Sequence, residues 1–176
     1  MLRKMKTKII DSLPVFPVTK APRFNPETWR LRVEGLVQRP QSLSLQELKE
    51  LPRRRVRDDF TCLEGWAVKG LTWGGVRVSD VLELASVKKT ATCALFSSLN
   101  YDHGLMIERC MEPTTILAYE LNDAPLSFEH GAPLRLILSG QECFESIKWV
   151  NSIRITHLYV EGSAERIALK RIVTVS

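Results

Sequence analysis

Short apolar segments separated by turns constrain the fold of this chain more than any other feature of the sequence. Trp29, Leu31 and Val33 alternate with charged residues, and short apolar runs recur at residues 92–98, 116–121 and 134–138. Alternation with a period of two is typical of half-buried β-strands, and short uninterrupted apolar runs are typical of fully buried ones. Because no long helices alternate with these segments, the pattern argues against a doubly wound parallel sheet. It predicts an α+β fold, a strand-rich mixed-sheet domain with short helices.

The same pattern predicts further strands and turns. Residues 53–60 form a strand with a basic run, and a strand from Ser152 carries Ile153, Ile155, His157 and Tyr159 on one face. We expect a packed, hydrogen-bonded His157 on that face. Residues 72–76 (Thr-Trp-Gly-Gly-Val) and the Asn122-Asp123 pair are predicted to be turns, and the tail over residues 167–175 is expected to add a strand.

Capping residues mark two short helices. Ser44 is followed three residues later by Glu47, which is the spacing of a capping box, so a helix should begin there and end before Pro52. Ser79 is expected to cap a second helix over residues 80–85.

Length and composition favour one domain with an extension. The chain has 176 residues, 44% hydrophobic and 26% charged, which excludes a disordered chain, a coiled coil and a collagen-like fibre. Four prolines (Pro14, Pro17, Pro22 and Pro26) make residues 1–27 an extended arm, either loose or lying across the domain at 28–176. No apolar run reaches the roughly 18 residues of a membrane helix. The basic start lacks the apolar core of a secretory signal, so we expect a cytoplasmic protein with reduced cysteines.

The net charge of +5, from 25 Lys and Arg against 20 Asp and Glu, suits an anionic ligand. It does not indicate nucleic acid. The arginine run at residues 53–57 is short, is followed at once by Asp58 and Asp59, and lacks interleaved aromatic residues.

Candidate chemistry starts with the cysteines. The four cysteines form no CxxC pair, which gives a structural zinc site little support, and Cys93, Cys110 and Cys143 are interpreted as packing residues. Cys62 follows a strand and a basic run and enters a glycine-containing turn. We expect its thiol to be presented there, with nearby arginines favouring the thiolate, although core packing remains an alternative.

A second candidate cluster lies in the last third of the chain. His130 and Arg135 flank a Gly-Ala-Pro turn, and Ser146 and Lys148 follow about a dozen residues later. Imidazole, guanidinium, hydroxyl and ammonium groups are suited to binding an oxyanion or phosphate. A turn with solvated charges is the competing interpretation.

Several motifs in the same order resemble the molybdopterin-binding domain of the sulfite oxidase family. The first is Phe60-Thr61-Cys62-Leu63-Glu64-Gly65-Trp66, followed by Trp73-Gly74-Gly75-Val76. Others are Trp29-Arg30-Leu31-Arg32-Val33 upstream, then Leu117-Ala118-Tyr119-Glu120-Leu121-Asn122, Glu129-His130-Gly131-Ala132-Pro133-Leu134-Arg135 and Ser146-Ile147-Lys148-Trp149 downstream. The resemblance extends from about Pro14 to about His157, and it is nearest to the short single-domain members.

The resemblance implies a molybdenum–molybdopterin cofactor, with a mononuclear molybdenum held by one pyranopterin. Cys62 would be the metal ligand and the catalytic thiolate. The pterin would be held by residues matching Ser98, His130, Arg135, Ser146 and Lys148. The implied activity is an oxidoreductase that transfers an oxygen atom to or from a small-molecule substrate.

The sequence departs from the family pattern at two places. Asn100-Tyr101-Asp102 replaces Asp-Gly-Tyr, and Glu142 and Glu145 stand where the family has tyrosine and lysine. Two acids near the cofactor would repel a sulfite-like dianion. We find neither a haem module nor an immunoglobulin-like module, and therefore expect a separate electron donor or acceptor protein. A molybdopterin-binding or carrier module without turnover, and a cofactor-free interaction domain, are the alternatives.

Overall fold

The computed structural model describes residues 7–15, 24–98 and 101–175, with side chains up to residue 170. The predictions for the first six residues, for Pro17 and Pro22, and for Asn100 lie outside these ranges. Among the described residues, none of the helices is long and apolar enough to cross a membrane.

Six strands of the described chain form the first sheet. They are β1 (Lys8–Ile9), β4 (Arg53–Cys62), β5 (Trp66–Arg77), β8 (Thr115–Leu121), β9 (Ala124–Pro125) and β10 (Arg135–Leu138). The central path runs β1-β5-β8-β10, while β4 pairs with β5 and β9 with β8. The long antiparallel hairpin of β4 and β5 brings Cys62 opposite Trp66 at its closed end.

Five further strands form the second sheet, in the order β3-β2-β11-β6-β7. They are β2 (Leu31–Gly35), β3 (Gln41–Leu43), β6 (Cys93–Ser97), β7 (Asp102–Met106) and β11 (Ser152–Thr156). Among the described strands of this sheet, β11 pairs with β2 in parallel and the other pairings are antiparallel. Mixed sheets with few short helices confirm the predicted α+β class.

Four α-helices and one 3₁₀ turn complete the described fold: α1 (Leu45–Glu50), α2 (Val78–Ala85), α3 (Ile107–Cys110), α4 (Ser163–Val175) and the 3₁₀ turn Phe128–His130. The capping box is confirmed, because the Ser44 hydroxyl accepts from the Glu47 N–H while the Glu47 carboxylate accepts from the Ser44 N–H. The prediction for Ser79 is wrong. α2 begins two residues earlier than expected, at Val78 instead of Asp80, with Arg77 as its N-cap.

Three other local predictions are wrong. Residues 72–76 lie within β5, because Gly74 and Gly75 allow β8 to approach closely: a Cβ on Gly75 would lie 2.1 Å from the Leu117 carbonyl oxygen. The last strand ends at Thr156, so His157 is exposed beyond it. The tail forms α4 and adds no strand.

Part of the N-terminal arm packs on the domain. β1 pairs in parallel with β5, and Leu13 is buried in a cluster with Phe60 and Trp73. A larger apolar cluster includes Leu31, Phe96, Ile153 and the inner residues of α2. The smaller cluster, on the β4–β5 hairpin, supports the candidate site.

Candidate active site

A cavity lies where the closed end of the β4–β5 hairpin meets the loop between β10 and β11. Cys62, His130, Arg135, Ser146 and Lys148 all line it. Leu13 and Pro14 contribute from the N-terminal arm, and Ala164, Ile167 and Ala168 from α4. The structure thus brings together five of the six residues that the sequence predicts for the site, and it places chain segments from both ends of the described fold beside them.

Cys62 owes its position to the hairpin. It is the last residue of β4, and its carbonyl accepts a 2.9 Å hydrogen bond from the N–H of Gly65, whose φ of +87° closes the turn. The expectation of a presented thiol is corrected, since only 7% of Cys62 is exposed. Its thiol faces the cavity and not bulk solvent.

The arginines of β4 do not activate Cys62. Arg53 forms an ion pair with Glu120, and Arg55 one with Asp123, at the opposite end of the strand. The pKa of Cys62 is lowered chiefly by a hydrogen bond from the Cys143 thiol, and the N–H of Glu64 lowers it further. Burial and the charges of Glu64 and Glu142 act in the opposite direction. The thiolate is therefore favoured by hydrogen-bond donors and not by the basic run.

Cys143 is the residue that the sequence analysis missed. Its Sγ lies 2.6 Å from Cys62 Sγ, and its N–H donates to the Thr61 carbonyl at 2.9 Å. A parallel bridge between Thr61 and Glu142 sets this register. Burial and the hydrogen bond to Cys62 raise the pKa of Cys143, so it is the proton donor of the pair. The sequence offered one signal for a role of Cys143 at the site. It lies three residues before Ser146, in a stretch that departs from the family pattern.

The same loop turns Glu142 and Glu145 away from the cavity. Cys143 and Phe144 line the cavity, whereas the two acids do not. The Glu145 carboxylate lies 3.8 Å from His103 Nε2, and burial raises its pKa. Glu142 Oε2 is buried without a hydrogen-bond partner among the described residues. Neither of the two acids lines the cavity, but Glu64 does, and the charges of Glu64 and Glu142 both act on Cys62, so a dianion there would still meet negative charge.

Arg135 is a buried cation held by backbone and aromatic rings. Its Nε donates to the Ser146 carbonyl at 3.2 Å, and its Nη1 donates to the His130 carbonyl at 3.0 Å. The guanidinium carbon lies 4.9 Å from the ring centre of Phe60 and 5.1 Å from that of Trp73. Burial lowers the pKa of Arg135 to about 10. These contacts keep the guanidinium charged and fixed beside the cavity.

His130 and Lys148 are placed by a turn that needs glycine. Gly131 has a φ of +118°, and a Cβ there would lie 3.0 Å from the Lys148 Cβ. Lys148 Nζ donates to the Glu129 carbonyl at 2.6 Å, while burial lowers the pKa of Lys148 to about 8. Burial, followed by the charges of Lys148 and Arg135, lowers the pKa of His130.

Ser146 and Ser98 have different places. The Ser146 hydroxyl accepts a hydrogen bond from the Leu138 N–H at 3.1 Å. This bond fixes the position of Ser146, whose own carbonyl accepts from Arg135. Ser98 does not line the cavity. Its hydroxyl donates to the Tyr101 carbonyl and accepts from the Tyr101 N–H, which places the Tyr101 side chain in the cavity wall instead.

The donor set fits an anionic, sulfur-ligated cofactor. His130 Nδ1 is buried with no hydrogen-bond partner, and neither Arg135 nor Lys148 has an ion-pair partner in the described part of the chain. Buried positive groups without counter-charges are suited to a bound anion. Within the described ranges, no three His, Cys, Asp or Glu side chains cluster as a metal site. A metal beside Cys62 would need a cofactor to supply its other ligands.

Comparison with known proteins gives the family. The sequence profile of the oxidoreductase molybdopterin-binding domain matches residues 18–163. The uncharacterized oxidoreductase YuiH of Bacillus subtilis (strain 168) is 34% identical over 160 residues, covering 90% of this chain and 81% of that protein. The methionine-sulfoxide reductase catalytic subunit MsrP of Campylobacter jejuni is 28% identical, covering 79% of this chain and 52% of that protein.

Two further comparisons concern a sulfite oxidase sequence and a solved structure with the same fold. Mitochondrial sulfite oxidase of Drosophila melanogaster is 31% identical, covering 75% of this chain and 28% of that protein. The sulfane dehydrogenase SoxCD of Paracoccus pantotrophus has the same fold, with a TM-score of 0.72 at 24% identity, over 80% of this chain and 41% of that one. The chain thus spans about half or less of these larger relatives.

These matches confirm the sulfite-oxidase-type fold, the assignment as an oxidoreductase and the molybdenum–molybdopterin cofactor that the motifs implied. This chain therefore belongs to the family of oxidoreductase molybdopterin-binding domains.

Proposed function

We propose that this protein transfers an oxygen atom to or from a small substrate at a mononuclear molybdenum ligated by the Cys62 thiolate. One observation carries the proposal: Cys62, the buried Arg135 and the half-buried Lys148 and His130 line a single cavity. A soft thiolate suits molybdenum, and the nitrogen donors suit the anionic parts of a pterin. When bound, the cofactor supplies the two-electron redox chemistry.

Residues of the chain itself ligate the metal, bind the anion and exclude water. Cys62 provides the protein sulfur ligand, and the Cys143 thiol stabilises its negative charge by donating a hydrogen bond. Lys148, His130 Nδ1 and the guanidinium of Arg135 bind and orient the anion. Phe60 and Trp66 cover the apolar side of the cavity, which excludes water from the reacting centre.

The test uses protein made in a host that synthesises the cofactor. We expect molybdenum in the purified protein, and X-ray absorption should show one sulfur ligand fewer in Cys62→Ser than in the parent. Cys110→Ala is the matched control, because Cys110 is also a buried cysteine but lies on α3 outside the cavity wall. An unchanged sulfur count in Cys62→Ser refutes the ligand assignment.

Turnover separates an enzyme from a carrier. Reduced viologen with small S-oxides or N-oxides tests oxygen removal, and ferricyanide with sulfite tests oxygen addition. Activity in either direction that is lost in Cys62→Ser supports the proposal, whereas loaded protein inactive in both directions favours the module without turnover. Protein that contains neither molybdenum nor pterin favours the cofactor-free interaction domain.

The location and the partner are further parts of this proposal. We propose a cytoplasmic protein that exchanges electrons with a separate protein. The cytoplasmic location is tested by cell fractionation. The electron exchange with a separate protein is tested by adding candidate redox proteins from the same cells in place of viologen.

A further inference from the structure

Two cysteine sulfurs lie together in the cavity, and the proposed function uses only one of them as a ligand. Cys62 ends β4, and Cys143 is brought beside it by the Thr61–Glu142 bridge and by the hydrogen bond from the Cys143 N–H to the Thr61 carbonyl. These backbone contacts fix both Cα positions independently of the side chains. The two Sγ atoms are 2.6 Å apart.

We propose that Cys62 and Cys143 form a reversible disulfide in the cofactor-free protein, which makes Cys143 an oxidative partner of the candidate ligand. A disulfide bond of about 2.05 Å requires the sulfurs to approach by roughly half an ångström more, a distance that side-chain rotation covers. The other two cysteines do not compete. Cys93 and Cys110 are fully buried and lie outside the cavity wall.

The oxidant we assign is hydrogen peroxide, which would reach the two thiols through the cavity. The thiolate of one cysteine attacks a peroxide oxygen, the O–O bond breaks, and a sulfenic acid forms while hydroxide leaves and takes up a proton. The second thiol attacks that sulfur, the S–S bond forms, and hydroxide leaves as a second water. Two thiols thus lose two electrons, and hydrogen peroxide is reduced to two waters. A dithiol reductant reverses the reaction by exchange, becoming a disulfide itself.

The disulfide would control cofactor loading, a consequence that rests on the proposed function. A sulfur bound to another sulfur is not available as a thiolate ligand. Oxidised protein would therefore not bind the cofactor until the disulfide is reduced. A metal already bound to Cys62 would protect that thiolate from oxidation.

The first experiment tests the disulfide without any cofactor. Full-length protein from a host unable to make the cofactor is reduced, desalted, treated with hydrogen peroxide and alkylated after denaturation. We expect loss of two alkylatable thiols and a non-reducing peptide map that links Cys62 to Cys143, reversed by dithiothreitol. Cys110→Ala should form the same link.

The variant Cys143→Ala should give a different product. Without a resolving thiol, we expect a sulfenic acid at Cys62 that dimedone traps, in protein whose circular dichroism matches the parent; Cys143→Ser replaces it if the alanine variant does not fold. The disulfide proposal is overturned if the parent keeps four thiols, links other cysteines, or accumulates the dimedone adduct without the link.

The second experiment separates this inference from the proposed function. Reduced and oxidised apoprotein are mixed with molybdenum cofactor released from a purified molybdoenzyme, and bound pterin is measured by the fluorescence of its oxidation product. We expect loading of the reduced form and loss of loading in the oxidised form. Failure of the reduced form to load refutes the proposed function and leaves the disulfide map standing. Equal loading of both forms refutes control of loading by the disulfide.

Discussion

Lys148 offers a quantitative test of the electrostatics of the cavity. Burial lowers its pKa from the usual 10.5 to about 8, and its Nζ is held by a neutral carbonyl and not by a carboxylate. Each pKa unit corresponds to about 1.4 kcal/mol of free energy, so burying the ammonium group costs about 3 kcal/mol, or about 2 kcal/mol once its partial exposure is considered.

The sign of the pH dependence follows from the lowered pKa. Below about pH 8 the amine is protonated in both the folded and the unfolded chain, and the full cost is present. Between about pH 8 and 10.5 the folded chain releases the proton while the unfolded chain keeps it, so the folded state gains stability as the pH rises.

The variant Lys148→Met removes this contribution and keeps most of the side-chain volume. We expect the difference in unfolding free energy between parent and variant to change by about 2 kcal/mol from pH 7 to pH 10.5, in favour of the parent at high pH. Urea denaturation of the apoprotein at several pH values measures this difference in unfolding free energy. Because the other titratable groups are common to both chains, their contributions to the pH dependence cancel in the difference. Lys89→Met, at an exposed position, should follow the parent. A difference that stays flat over this range refutes the reasoning.

Two further changes test the neighbouring residues. Arg135→Ala removes a charged donor worth roughly 1.5–3 kcal/mol, so pterin retained after gel filtration should reflect an affinity lowered roughly tenfold to hundredfold, whereas Arg154→Ala at an exposed arginine should have no effect. Equal retention by the two variants contradicts the role of Arg135. Gly131→Ala should cost about 1–3 kcal/mol in thermal or urea unfolding, from the positive φ together with the contact with Lys148. Gly140→Ala has a positive φ but open space around its Cβ, so it should cost less, and an equal loss would argue against the contact.

Local signals in the sequence predicted local structure correctly. The capping box at Ser44 and the turn at Asn122 and Asp123 depend on residues within a few positions of one another, and both are present. Gly74 and Gly75 do not form the predicted turn because their role is non-local: they make room for β8, which lies more than forty residues away along the chain. A pair of glycines predicts a turn and a close strand crossing equally well.

The same distinction between local and non-local signals applies to the candidate site. Cys62, His130, Arg135, Ser146 and Lys148 lie within recognisable motifs, and the cavity contains all of them. Cys143 could not be found this way, because its relation to Cys62 depends on a bridge between segments that are 81 residues apart. The source of the lowered Cys62 pKa was misassigned for the same reason: the arginines are near in sequence, but the thiol donor is near in space.

The position of α4 also affects how the site is enclosed. Ala164, Ile167 and Ala168 form part of the cavity wall, and they follow every other residue of that wall in the chain. α4 contacts β7 of the second sheet, whereas Cys62 and Arg135 lie on strands of the first sheet. A substitution in α4 can therefore alter the cavity wall without touching the strands that hold the candidate ligand and its buried cation.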